Sequence, residues 1–179
     1  MRIVSYGAAC SLDGFIAGVN GEIDWLHFSK DVQDITKAYW KPIDTILMGR
    51  KTWDASVAMG GGGGAGVSSK IATYVFSRTL KSVTQPGVQL VASDPGDFVR
   101  ELKGKPGKDI CVMGGGELAQ SLLGSGAIDE VGLNVHPILL GAGIPLFRDP
   151  GRRVRLELKE SRTIDGGCVY SMYRVVEGR

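Results

Sequence analysis

Ile110-Cys111-Val112-Met113-Gly114-Gly115-Gly116-Glu117-Leu118-Ala119 is the stretch on which the fold turns. A short apolar run ends in three glycines, and behind them Leu118, Leu122 and Leu123 are spaced for one face of a helix. The pattern describes a buried strand entering a helix N-terminus through a turn that has no side chains. Bare N–H groups at such a terminus, with the helix dipole behind them, suit an anion such as a phosphate. Thr45-Ile46-Leu47-Met48 enters Gly49-Arg50-Lys51-Thr52-Trp53 in the same way, here with adjacent cations. Two such junctions in one chain fit a ligand with more than one phosphate, which points to a nucleotide cofactor.

The rest of the chain is consistent with one domain over residues 1–179, and 43% hydrophobic content gives it a full-sized core. With 22% charged residues and a formal net charge of +2, no whole-molecule field points to nucleic acid or a membrane surface. Arg152, Arg153 and Arg155 read as a solvated loop and strand start. No apolar run reaches the roughly 20 residues of a membrane span, and a strand pattern at Arg2-Ile3-Val4-Ser5-Tyr6 leaves no room for a secretory leader. Cys10, Cys111 and Cys168 are widely spaced in apolar segments, where cysteine acts as a small hydrophobe. With His27 and His136 as the sole histidines, no metal site is expected, and the chain reads as reduced and cytoplasmic.

Strands are expected at 2–9, 44–48, 71–76, 88–92, 109–113, 128–135, 153–161 and 168–176, and helices near 29–40, 51–58, 95–103 and 116–123. Asp94 caps the third helix with Pro95 in its first turn, and Gly124 ends the fourth. Alternation through Val154, Leu156 and Leu158, then Val169, Ser171 and Tyr173, around Ile164-Asp165-Gly166-Gly167 predicts an antiparallel hairpin. The early strand–helix alternation predicts right-handed crossovers and a largely parallel sheet covered on both faces. The sum is an α/β fold: a mixed, mostly parallel eight-stranded sheet, about four helices and a C-terminal hairpin. The run from Gly60 to Gly66 reads as a surface loop.

Gly114-Gly115-Gly116-Glu117-Leu118-Ala119 also satisfies G-x-G-x-x-A, the Rossmann fingerprint. That fold needs a ribose carboxylate roughly 20 residues on, but Asn134 stands there, and Asp129 and Glu130 come too early. The motif also falls late in the chain. The Rossmann fold is excluded while its phosphate-binding physics is kept. Ser77-Arg78 follows the strand Tyr74-Val75-Phe76, so a parallel sheet brings Arg50, Lys51 and Arg78 to one edge beside the glycines, placed to share a phosphate.

In order and spacing, Met48-Gly49-Arg50-Lys51-Thr52-Trp53, Phe76-Ser77-Arg78 and Met113-Gly114-Gly115-Gly116 resemble the dihydrofolate reductase-like superfamily. Ser11-Leu12-Asp13-Gly14-Phe15-Ile16-Ala17 and the segment from His136-Pro137 to Leu146-Phe147 resemble one branch most. That branch holds the reductase domain of the riboflavin-biosynthesis deaminase-reductase and its stand-alone bacterial relatives. The resemblance implies a reductase that uses NADPH. By it, Gly49, Arg50, Lys51 and Thr52 meet cofactor phosphates, and Ser77 and Arg78 lie near the adenosine 2′-phosphate. Gly114, Gly115, Gly116, Glu117 and Leu118 hold the pyrophosphate and nicotinamide ribose, and Ala9 and Ile16 flank the nicotinamide. Cations without a ribose carboxylate also favour NADPH over NADH on physical grounds.

The resemblance extends to Asn20-Gly21-Glu22-Ile23-Asp24-Trp25-Leu26, which makes Asp24 and Trp25 substrate-side residues, with Trp25 on that superfamily's loop tryptophan. A first-helix carboxylate that assists protonation falls near Lys30 or Asp31; Asp31 is the candidate, with a dipole-favoured helix-start carboxylate as the alternative. Asp13 is the other catalytic candidate, with a turn residue before Gly14 as its alternative. The expected activity is NADPH-dependent hydride transfer to a small heterocycle of pterin, pyrimidine or related type. The rivals are an NADPH-sensing protein without turnover and a riboflavin-pathway reductase of a ribosylated pyrimidine, for whose phosphate Lys30 or Lys37 would serve. The apolar, glycine-rich segment Ile138 to Phe147 suggests either a homodimer interface or an ordered loop folded back over the cofactor edge.

Overall fold

Ile46-Leu47-Met48 and Ile110-Cys111-Val112 show water no polar face, and the computed structural model buries both runs in adjacent strands of one sheet. The structure describes residues 1–58, 71–149 and 151–176; the glycine run Gly60 to Gly66 lies outside the described residues. Eight strands form the sheet: β1 (Val4–Ser11), β3 (Ile43–Gly49), β4 (Ala72–Phe76), β5 (Val88–Val91), β6 (Asp109–Val112), β7 (Glu130–His136), β9 (Arg155–Ile164) and β10 (Cys168–Val176). They run in the order β5-β4-β3-β6-β1-β7-β10-β9, parallel from β5 to β7. β10 is antiparallel to both neighbours, so the C-terminal hairpin is present.

Successive strand residues point to opposite faces, and this sorts the helices. Ser5 Oγ lies 2.8 Å from the Tyr39 hydroxyl of α1 (Lys30–Trp40), and a Cβ on Gly7 would meet the Tyr39 ring, so this face of β1 looks at α1. Trp53 of α2 (Arg50–Ala58) packs with Ile46, Met48 and Val75. On the other face, Val4, Tyr6, Leu47 and Val112 join Val99 and Leu102 of α3 (Pro95–Lys103) and Leu118, Leu122 and Leu123 of α4 (Gly116–Gly124). Asp94 caps α3, accepting from Asp97 N at 3.0 Å. Ser29 caps α1, accepting from Val32 N at 3.2 Å.

Three expectations change. β1 reaches Ser11 instead of residue 9, because β7 pairs with it as far as Ser11 and His136. A small second sheet, β2 (Phe15–Ala17) with β8 (Ile144–Pro145), has no periodic signature, since its strands are too short to show one and far apart in sequence. Leu156 and Leu158 alternate as expected but are 43% and 55% exposed, because β9 is exposed on both faces up to Thr163.

The Ile138 to Phe147 segment folds back on the β1–β2 turn. Leu12 N donates to Ile138 O at 2.9 Å and Leu146 N to Gly14 O at 2.8 Å. Ile138, Leu139, Ile144 and Phe147 stay exposed, while Leu146 is buried.

Candidate cofactor and substrate cleft

A gap at the centre of the sheet positions the site. β1 pairs with β6 only through Val4, Ser5 and Tyr6, whereas β7 accompanies it to Ser11. β6 stops at Val112, and the chain leaves through Met113 and Gly114, so beyond Tyr6 no strand among the described residues pairs with that edge of β1. This crevice opens at the C-terminal ends of the strands, where the order reverses: the chain passes from β1 to β3 and later fills the space between with β6. Gly7, Ala8 and Ala9 lie in the middle of the sheet yet are only half-buried. Their small side chains leave room for a flat ring. Ala9 lies on the stretch of β1 beyond its pairing with β6, and Ile16 on β2 packs, like Ala8, against the α4-side core.

The two strand-to-helix junctions meet across its floor. A Cβ on Gly115 would lie 3.3 Å from Gly49 Cα and 3.4 Å from Gly49 N, and one on Gly114 would lie 3.4 Å from Thr52 Oγ1. Gly114 and Gly115 have φ of +70° and +86°, a region that side-chain-bearing residues rarely enter. The glycines therefore allow two backbones to approach and leave the start of α4 without a side-chain cap. Met113 N donates to Leu47 O at 2.9 Å, which locks the β6 exit to β3. A backbone cradle of this shape fits oxyanions at a helix N-terminus.

The sequence places three cations on this edge, and the structure divides them. Arg50 Nη1 donates to Thr79 Oγ1 at 2.7 Å and Nε to Asp54 at 3.2 Å, so Arg50 leans toward the β4 exit. Ser77 Oγ shapes that exit by accepting from Leu80 N at 3.0 Å and Thr79 N at 3.2 Å, and Arg78 beside it is exposed. Lys51 turns the other way, toward Glu117 on α4 at 3.8 Å; both are largely exposed. Lys51 thus does not join Arg50 and Arg78. Sequence reading missed Arg148, whose side chain crosses the start of α4 next to Gly116. Its signal was faint: a single arginine after Pro145-Leu146-Phe147 looks like surface decoration.

At the substrate end, the candidate carboxylates are engaged. Asp31 is exposed, not buried, and its Oδ2 accepts from Asp165 N at 3.0 Å, tying α1 to the β9–β10 turn. Asp13 accepts from Ser11 Oγ at 2.6 Å, Gly141 N at 2.8 Å and Leu140 N at 3.2 Å. The Ser11 hydroxyl and then those backbone N–H groups hold its carboxyl below the ordinary range, in the ionised form. Asp24 is exposed. Trp25 donates from its indole to Glu22 O at 3.2 Å and sets its ring edge-on to His136, centroids 5.5 Å apart.

His136 and Asn134, also missed, lie on the α1 face, where Asn134 pairs with Ala9 and His136 with Ser11. The buried His136 ring accepts at Nδ1 from His27 N at 3.4 Å, with Cys168 Sγ also 3.4 Å away. Burial, then the nearby His27, lowers its pKa, so the neutral ring carries its proton on Nε2. Asn134 Nδ2 is 3.2 Å from that nitrogen, and Asn134 Oδ1 is buried without a hydrogen-bond partner among the described residues. A half-turn of the amide brings Oδ1 onto the Nε2 proton and removes the conflict between two donors. Burial raises the Cys10 thiol to about 11 and the Cys111 thiol to about 12, which keeps both protonated at neutral pH.

The cleft and sheet belong to a known class. The model of the RibD C-terminal domain matches residues 2–170, and the chain belongs to that family. It is similar to the uncharacterised protein YyaP of Bacillus subtilis (strain 168), 36% identical over an alignment of 181 positions that covers 96% of this chain and 94% of YyaP. It is similar in structure to a putative riboflavin biosynthesis protein from Shewanella sp. PV-4, with TM-score 0.85 and 27% identity over 98% of this chain and all of that one. A dihydrofolate reductase from Enterococcus faecalis, solved with NADP(H), shares the fold with TM-score 0.69 and 14% identity, covering 98% of this chain and 97% of that one. RibD-like and dihydrofolate reductase-like reductases thus share this architecture. Among the described residues, no helix is long and apolar enough to cross a membrane.

Proposed function

We propose that this protein is an NADPH-dependent reductase of a small conjugated heterocycle. The observation that carries the proposal is the bare backbone cradle made by Gly49, Gly114 and Gly115 beside the open edge of β1. Gly114 to Leu118 would hold the pyrophosphate and nicotinamide ribose, and Arg50, Ser77 and Arg78 the adenosine-side phosphate. Ala9 and Ile16 would flank the nicotinamide. When bound, NADPH supplies the hydride. The small residues Gly7 and Ala9 would let a flat substrate lie against the ring. The NADP(H) bound by the Enterococcus faecalis dihydrofolate reductase supports the cofactor, and the family supports a pterin- or pyrimidine-like substrate.

A second reading, NADPH binding without turnover, draws support from the engagement of both Asp31 and Asp13 in backbone hydrogen bonds. A screen of NADPH oxidation with dihydrofolate, pterins, the ribosylated pyrimidine and quinone-like acceptors separates the two. The reductase reading expects oxidation with at least one heterocycle. Cofactor that binds yet stays reduced with every acceptor favours the second.

A further inference from the structure

We infer that Arg148 grips the pyrophosphate of the dinucleotide beside the glycine turn, an assignment that rests on the NADPH reading above. A Cβ on Gly116 would meet Arg148 Nε at 3.7 Å and Cγ at 3.8 Å, so the side chain lies across the first residue of α4. Among the described residues no hydrogen bond or ion pair engages the guanidinium. A cation at a helix N-terminus faces the positive end of the dipole, and an anion between the two removes the repulsion. The planar guanidinium fork matches two phosphate oxygens at once.

The backbone holds Arg148 at this place. Leu146, two residues earlier, is buried; its carbonyl accepts from the Tyr6 hydroxyl at 3.2 Å and its N–H donates to Gly14 O at 2.8 Å. On the other side, the carbonyl of Asp149 accepts from the Gln120 side chain of α4. The segment is thus fastened to β1 before Arg148 and to α4 after it. The remaining cations are differently committed, Arg50 to Asp54 and Thr79 at the β4 exit and Lys51 to Glu117. That arrangement separates two anion sites, with Arg50 and Arg78 at one and Arg148 with the glycine turn at the other.

Calorimetric titration of wild type, Arg148→Ala, Arg148→Lys and Arg78→Ala with NADPH and NADH tests this, with inorganic pyrophosphate as competitor. Arg148→Ala is expected to weaken both nucleotides by the same factor, about tenfold for one charge-assisted contact, and to blunt competition by pyrophosphate. Arg148→Lys is expected to recover part of the loss, and Arg78→Ala to weaken NADPH alone. Because Arg148 is exposed, the variants should melt as wild type does. Unchanged affinity of Arg148→Ala for both nucleotides would overturn the assignment and leave the NADPH reading standing. A loss confined to NADPH would move Arg148 to the 2′-phosphate and overturn it as well. Wild type that binds neither nucleotide would overturn both readings together.

Discussion

At the glycine-rich end of the cleft the protein presents backbone, and at the end that holds Asp31 and His136 it presents side chains already engaged in hydrogen bonds. Gly49, Gly114 and Gly115 contribute by what they lack: a Cβ on Gly115 would crowd Gly49 within 3.3 Å. At the other end Asp31 holds the hairpin turn, Asp13 holds the segment after β7, and His136 links His27, Cys168 and Asn134. The difference separates a site specified by short sequence from one specified by distant contacts. It also divides the expected mutational effects, since changes at the first end should strike binding and changes at the second should strike geometry and stability.

The largest expected effect is that of Gly115→Val. It places a branched side chain at φ +86° and against Gly49, so nucleotide binding should be lost. The strained backbone should also lower stability by about 1–3 kcal/mol. Circular dichroism and nucleotide titration on one sample separate the two losses; a folded variant with wild-type affinity would show that these glycines serve packing alone. Next comes Arg78→Ala, expected to narrow the preference for NADPH over NADH about tenfold. A preserved preference would remove Arg78 from the 2′-phosphate.

Asp13→Ala should loosen the segment that carries Leu146 and Arg148, weakening NADPH severalfold and lowering the melting temperature. Because the Asp13 carboxyl is held below its ordinary pKa, its contribution is present above about pH 4 and is lost as pH falls through the folded value. A variant with unaltered cofactor affinity would separate this clamp from the site. Smallest is the pH response of His136. Its pKa is lowered by burial, so the stability it contributes is full above about pH 6.5 and falls as acid protonates the unfolded chain first. Melts of wild type and His136→Gln between about pH 7 and 5 should show a shallower decline in the variant; parallel curves would remove His136 as the cause.

The same contrast explains what the sequence made legible. Apolar runs that stop at glycine can be read locally, and they yielded the central strands, the junctions and the mostly parallel order. The capped start of α3 at Asp94-Pro95 was equally local. Asp13 and Asp31 were recognised as notable carboxylates, but their partners lie 128 and 134 residues away, beyond any periodicity. Arg148 and Asn134 were passed over because their significance depends on the β2–β8 pairing and the β1–β7 register. Leu156 and Leu158 show the converse, since alternation identified the strand but carried no information about whether a layer covers it.

The most direct test of the cleft as a site for a phosphorylated dinucleotide is a pair of thermal melts, one with NADPH and one with NADH at equal concentration. At about 100 times its dissociation constant, a ligand stabilises the fold by roughly 2.7 kcal/mol, so NADPH should raise the melting temperature by several degrees and NADH by clearly less. Equal shifts, or no shift with either nucleotide, would contradict the assignment of the glycine cradle and its arginines to NADPH.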